Sequence, residues 1–186
     1  MIIWIDITNT PHVNVLLPII RHLKNKHEFI ITARDFTETI PLLRENGINP
    51  IVYGRYKGKS RVKKIFGLFQ RMWVLFFRLP KFDLAFSLGG NYTSTIAFLR
   101  RKKSIVFSDN DISFKFFSFA MGSYFIFPSY FRYGDIKRKY RLKDEQIYTF
   151  HGFKEDIYIA NFSPDLNFKS QLPFDDFITI RPENLK

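Results

Sequence analysis

Short apolar runs with no polar alternation recur along this chain, most of them separated from the next by a longer stretch with helical spacing. Residues 2–6 (IIWID), 28–33 (EFIITA), 50–53, 83–87 (DLAFS), 103–107, 124–127 and 146–150 form the first set. Between them, residues 13–26 place apolar side chains at 13, 16, 17, 20 and 23, one face of a helix. Residues 37–46, 62–78, 93–101 and 112–121 read as further helices, with Gly47 placed as a C-terminal cap. A strand buried on both faces has no polar side to show. Strand and helix in strict succession with short connections therefore predict an α/β fold, a Rossmann-like doubly wound parallel sheet. Ligands in such sheets bind at the carboxyl ends of strands, which directs attention to the loops after residues 6, 33, 87 and 107.

Composition narrows the chemistry. The 186 residues include no cysteine, which excludes disulfide frameworks, thiolate zinc sites, iron–sulfur clusters and cysteine nucleophiles. At 46% hydrophobic and 25% charged, the chain can bury a core. Twenty-nine basic residues against 17 acidic ones leave a net charge of +12, which implies an anionic partner. The N-terminal apolar run is broken at Asp6 and has no charged leader, unlike a signal peptide. Residues 72–77 are apolar but flanked by Arg71 and Arg78, far short of the roughly 20 residues a spanning helix needs. The expectation is a cytoplasmic protein that can sit peripherally on the inner face of the membrane.

Three strand-end loops carry candidate chemistry. The first runs from Asp6 through Asn9 and Pro11 to His12, at the start of a helix whose free N–H groups favour an anion. His12 is a candidate general base, since imidazole titrates near neutrality. The competing reading has Asn9 or Thr10 capping the helix and His12 packed at the surface. The second loop is Ser87-Leu88-Gly89-Gly90-Asn91, where paired glycines allow close backbone approach to a ligand or simply make a turn. The third is Ser108-Asp109-Asn110-Asp111, able to bind sugar hydroxyls, to act as an acid–base pair, or to cap a helix. No G-x-G-x-x-G occurs, which argues against a dinucleotide site of that kind, and the four histidines show no metal spacing.

No acidic residue lies between Asn46 and Phe82, while nine basic residues do, interleaved with Tyr53, Tyr56, Phe66, Phe69, Trp73, Phe76 and Phe77. A basic, aromatic, amphipathic helix is the pattern of an interfacial membrane binder. Lys63, Lys64, Arg71 and Trp73 are its expected contacts with an anionic leaflet. A core helix with a solvated basic face is the plainer alternative. Nucleic acid is not expected as a partner, because no helix-turn-helix, zinc-finger or RRM signature is present.

The motifs IDITNTPHVN with LLPIIRHL, ITARDFTETIPLLRENGI, SLGGN, FSDND and HGFKEDIY with FSPD resemble, in order and over nearly the whole chain, the domain-of-unknown-function 354 family. That family is similar to GT-B glycosyltransferases and UDP-N-acetylglucosamine 2-epimerases, in which two Rossmann-like domains face each other across a cleft. The resemblance implies that this chain is the N-terminal, acceptor-side domain. His12 looks like the first-loop histidine of the lipid-linked N-acetylglucosamine transferase of peptidoglycan synthesis, and Gly89-Gly90 looks like its Gly-Gly loop. The family commonly has Glu where this chain has Asp111, a conservative departure. The resemblance also accounts for a membrane-facing basic helix.

The resulting expectation divides the chain into residues 1–162 as the Rossmann-like domain, 163–176 as a linker and 177–186 as the opening strand of a second domain missing here. Catalysis is assigned to His12 and Asp109, and acceptor binding to Asn9, Gly89, Gly90, Asn91, Asn110 and Asp111. No metal and no cofactor is expected on this chain. A UDP-sugar is expected for the complete enzyme, held by a separate C-terminal donor-binding domain. The alternatives are a UDP-sugar epimerase-like domain, using Asp109 and Asp111, and a basic module without catalysis that binds nucleic acid or a partner.

Overall fold

The computed structural model describes residues 1–55, 61–109, 116–160, 162–174, 176–178 and 180, with side chains for all of these except 55 and 61–65. In chain order the elements are β1 (Ile2–Ile7), α1 (Thr10–Leu23), β2 (Glu28–Asp35), α2 (Thr39–Glu45), β3 (Ile51–Arg55), α3 (Arg61–Arg78) and β4 (Leu84–Leu88). There follow α4 (Asn91–Leu99), β5 (Lys103–Phe107), α5 (Phe116–Met121), β6 (Tyr124–Pro128), α6 (Gly134–Tyr140), β7 (Ile147–Phe150) and α7 (Asp156–Ile159). The strands form one seven-stranded sheet in the order β3-β2-β1-β4-β5-β6-β7, and every pairing is parallel. The expected Rossmann-like α/β fold is therefore present.

The order reverses direction once. The chain winds outward from β1 through β2 to β3, then returns to lay β4 against the other edge of β1. Loops leaving β1 and β4 diverge to opposite faces there, and a crevice opens between them.

Strand β1 shows why its sequence lacks polar alternation. Ile3, Ile5 and Ile7 pack with Val13, Leu16, Leu17 and Ile20 of α1 and Leu43 of α2. Trp4 points the other way, into a cluster with Leu75 of α3, Leu79 just after it, and Ile96 and Ala97 of α4. Both faces of the strand are covered, as a central parallel strand requires. A third cluster joins Val106, Phe119, Phe125, Phe127 and Leu142 around the far strands. Phe131 packs against it too, with the Phe127 ring stacked 5.1 Å from Tyr133 and 5.4 Å from Phe131.

Gly47 ends α2 with φ of 75°, the left-handed conformation expected of a C-terminal glycine. The last third departs from the sequence reading at two points. The basic segment after Pro128 holds a helix, α6, that periodicity did not disclose. The strand expected over 177–180 is absent among the described residues of that segment. Phe177, Ile178 and Ile180 are at least half exposed.

Candidate functional site

At the switch point lies a cleft of about 400 Å³, bounded by the loops after β1, β4 and β5 and by Lys154 in the loop after β7. Asn9, His12, Gly89, Gly90, Asn91 and Asp109 all line it, so three loops far apart in sequence converge. Asn110 and Asp111 lie outside the described residues.

The local geometry explains the first loop. Pro11 occupies the first turn of α1, where its missing N–H and fixed φ cost nothing. Asn9 holds the N-cap position in extended conformation, yet its side chain makes no capping bond. Thr10 is engaged elsewhere, its hydroxyl 2.7 Å from that of Thr37 and 3.3 Å from that of Thr39. The capping alternative for Asn9 and Thr10 therefore has no hydrogen bond behind it. His12 is half-buried, in the first turn of the helix, on the cleft wall.

The glycine loop has local reasons of its own. Gly89 adopts φ of 66°, which side chains resist. A Cβ on Gly90 would sit 3.1 Å from Thr93 Oγ1 and 3.2 Å from Ser87 Cβ, and the Gly90 N–H donates to Ser87 Oγ at 3.3 Å. Asn91 Oδ1 accepts from Ser118 N and lies 3.1 Å from Ser118 Oγ, tying α4 to α5. These residues build the wall as much as they face into it.

Lys154 is the site residue that the sequence reading passed over. It stands just after β7, and its ammonium pairs with the Asp109 carboxylate inside the cleft. Burial alone would lower the Lys154 pKa. The hydrogen bond and charge of Asp109, aided by Glu155 and Tyr130, outweigh that and raise it above the ordinary lysine value. The signal was available, because HGFKEDIY follows a strand end directly and a cation within it belongs to the functional edge of the sheet.

Behind the cleft floor, Asp6 and Arg71 form a second ion pair. Arg71 Nη1 and Nη2 donate to Asp6 Oδ2 and Oδ1 at 2.8 and 2.7 Å. Thr32 Oγ1 also donates to Asp6 Oδ1, and Trp4 Nε1 donates to Thr32 Oγ1. Arg71 Nε donates to the Tyr53 carbonyl, and the guanidinium lies 4.6 Å from the Tyr92 ring centre. Burial opposes the charge of Arg71, and the ion pair and hydrogen bonds with Asp6 more than restore it.

This corrects the expected membrane role of Arg71, whose side chain is only 3% exposed. The reason is helical period: Arg71, Leu75 and Leu79 follow at intervals of four, and all three are buried. Trp73 does face outward, at 69% exposed, in a stripe with Phe66, Phe69 and Phe77. The side chains of Lys63 and Lys64 lie outside the described residues. No described helix is long and apolar enough to cross a membrane.

Residues 1–75 match the family described as Protein of unknown function (DUF354). This bears out the resemblance over that part of the chain. No curated protein sequence matches the chain. Among solved structures, UDP-GlcNAc 2-epimerase from Methanocaldococcus jannaschii superposes with TM-score 0.66 at 16% identity, over 87% of this chain and 48% of that one. MurG from Acinetobacter baumannii gives 0.56 at 13%, over 82% and 46%. Anabaena Alr3699/HepE, solved in complex with UDP, gives 0.52 at 11%, over 82% and 44%. The fold is thus that of one domain of GT-B-type proteins, and the chain spans about half the length of the structures it matches.

Proposed function

We propose that this chain is the acceptor-side half of a GT-B-like glycosyltransferase that uses a nucleotide sugar at a membrane surface. The switch-point cleft carries the reading, because His12, Asn9, the Gly89-Gly90-Asn91 turn and Asp109 converge on it from three loops. His12 takes the proton of an acceptor hydroxyl as that oxygen attacks the anomeric carbon. The nucleoside diphosphate leaves with the bonding electrons. A separate C-terminal donor-binding domain holds the UDP-sugar phosphates, and this chain supplies no metal.

The exposed stripe Phe66, Phe69, Trp73 and Phe77 supports docking on an anionic leaflet, with the surrounding positive charge adding attraction. Vesicles containing anionic lipid are expected to retain the protein, and Phe69→Ala with Trp73→Ala to release it. Equal retention on neutral vesicles would show that charge plays no part.

The decisive assay uses labelled UDP-N-acetylglucosamine and membrane lipid. The chain alone is expected to give no product, and labelled lipid is expected once a donor-binding half is added. Turnover by the isolated chain would overturn the division of labour. A second reading, a UDP-sugar epimerase-like half, draws on the Asp109 carboxylate that Lys154 holds in the cleft. Recovery of an epimerised UDP-sugar with unlabelled lipid would select it.

A further inference from the structure

We infer that the ends of β5, β6 and β7 form a pyranose-binding subsite centred on Asp109, Lys154, Tyr130 and Phe153, which extends the switch-point cleft sideways along the sheet. The inference rests on the proposed function in one respect, that the ligand is a sugar.

Three neighbouring loops build it. Asp109 follows β5, Tyr130 follows β6, and Phe153 with Lys154 follows β7. These strands are adjacent and parallel, so their loops emerge side by side. Ser129 N donates to the Phe150 carbonyl, and Ser129 Oγ lies 3.2 Å from His151 Nδ1, which fastens the second loop to the third. The third loop is stiffened by Asp156, whose Oδ2 accepts from Phe153 N at 2.7 Å.

The chemistry on this ledge is of two kinds. Lys154 and Asp109 present a donor and an acceptor in contact, each still partly open at 32% and 18%. A fixed ammonium–carboxylate pair matches two adjacent hydroxyls of a sugar, one accepting from the ammonium and one donating to the carboxylate. Beside it, the rings of Tyr130 and Phe153 lie 5.0 Å apart and remain 52% and 58% exposed. Tyr130 packs on Phe153, and Phe153 adjoins Lys154 in the same loop, which sets the aromatic pair beside the charged one. An exposed aromatic pair next to polar groups suits a ligand with an apolar C–H face and a hydroxylated edge, which describes a pyranose. Phosphate alone is a poorer fit, because Asp109 cancels the Lys154 charge.

The test is titration of the ¹⁵N-labelled chain with N-acetylglucosamine, with UDP and inorganic phosphate as separate arms. The sugar is expected to shift the amide signals of residues 130 and 152–154. Lys154→Met and Asp109→Asn are each expected to weaken binding by about tenfold or more, as loss of a charged hydrogen bond does. Phe153→Ala should weaken it severalfold with an unchanged melting temperature. Sugar-induced shifts confined to Asn9–Asn91, or affinities unchanged in all three variants, would overturn the subsite. A phosphate response at Lys154 with none to the sugar would also overturn it. If the sugar binds as expected but the two-half assay forms no labelled lipid, the subsite stands and the transferase reading falls.

Discussion

The two ion pairs at the carboxyl edge of the sheet share the same charges and little else. Asp6 and Arg71 are enclosed, with side-chain exposures of 1% and 3%, and their oxygens and N–H groups meet partners within the protein. Asp109 and Lys154 touch in a cleft that admits solvent. An enclosed pair has no surface left for a ligand, and removing either member strands a charge in a dry environment. A cleft-side pair contributes little to folding, because water screens it, and part of its surface stays open to the cleft. Enclosure therefore separates scaffold from site, although both pairs stand at strand ends, where function is first sought.

Breaking the enclosed pair is expected to have the largest effect. Arg71→Met alone should cost about 3–5 kcal/mol of unfolding free energy, read by urea denaturation, while Asp6→Leu with Arg71→Met should recover much of it. A loss below about 1 kcal/mol for the single variant would place Arg71 in the same class as a surface cation. His12→Gln sharpens the contrast from the site side. In the proposed two-half transferase assay it should lower turnover by roughly 10²–10⁴ with an unchanged melting temperature. A lower melting temperature with full activity per folded molecule would make His12 a packing residue.

Lys154→Met should leave stability within about 1 kcal/mol of the parent chain, measured by the same denaturation. The smallest effect is on pH. Lys154 holds its proton more tightly in the folded state, because burial is outweighed by Asp109 and Glu155. Its contribution is complete below the ordinary lysine range and fades as pH rises through the folded-state value. Lys154→Met should therefore erase a shallow alkaline loss of stability, and a steeper loss in the variant would reverse the assignment.

The sheet was legible because a doubly covered strand leaves an unmistakable record. Residues 103–107 were read at their observed bounds, and α3 began one residue from its expected start. Arg71 was misread because charge was weighed without helical phase, and Leu75 and Leu79 already marked its face as buried. Helix α6 escaped because Lys137, Arg138 and Lys139 follow one another without period, and its Ile136 and Tyr140 only partly pack on the third cluster. The pairing of Lys154 was missed because its partner lies 45 residues away, a distance that no spacing rule spans, although its place after a strand end was legible.

The placement of β1 between β2 and β4 sets a schedule for the growing chain. Ile3 finds its partner Phe29 early, but Leu84, its partner on the other edge, is made much later. At ordinary rates of synthesis, one side of the most buried strand stays unpaired on the order of seconds. It is during that time an open parallel edge of the kind that invites foreign strands. Arg71, 65 residues beyond Asp6, arrives within the same interval. Until then the carboxylate has Thr32 to bond with and no cation to neutralise it. A nascent chain stalled before α3 is complete therefore holds an unneutralised charge at the centre of a half-built sheet, and that is the point at which a chaperone has most to protect.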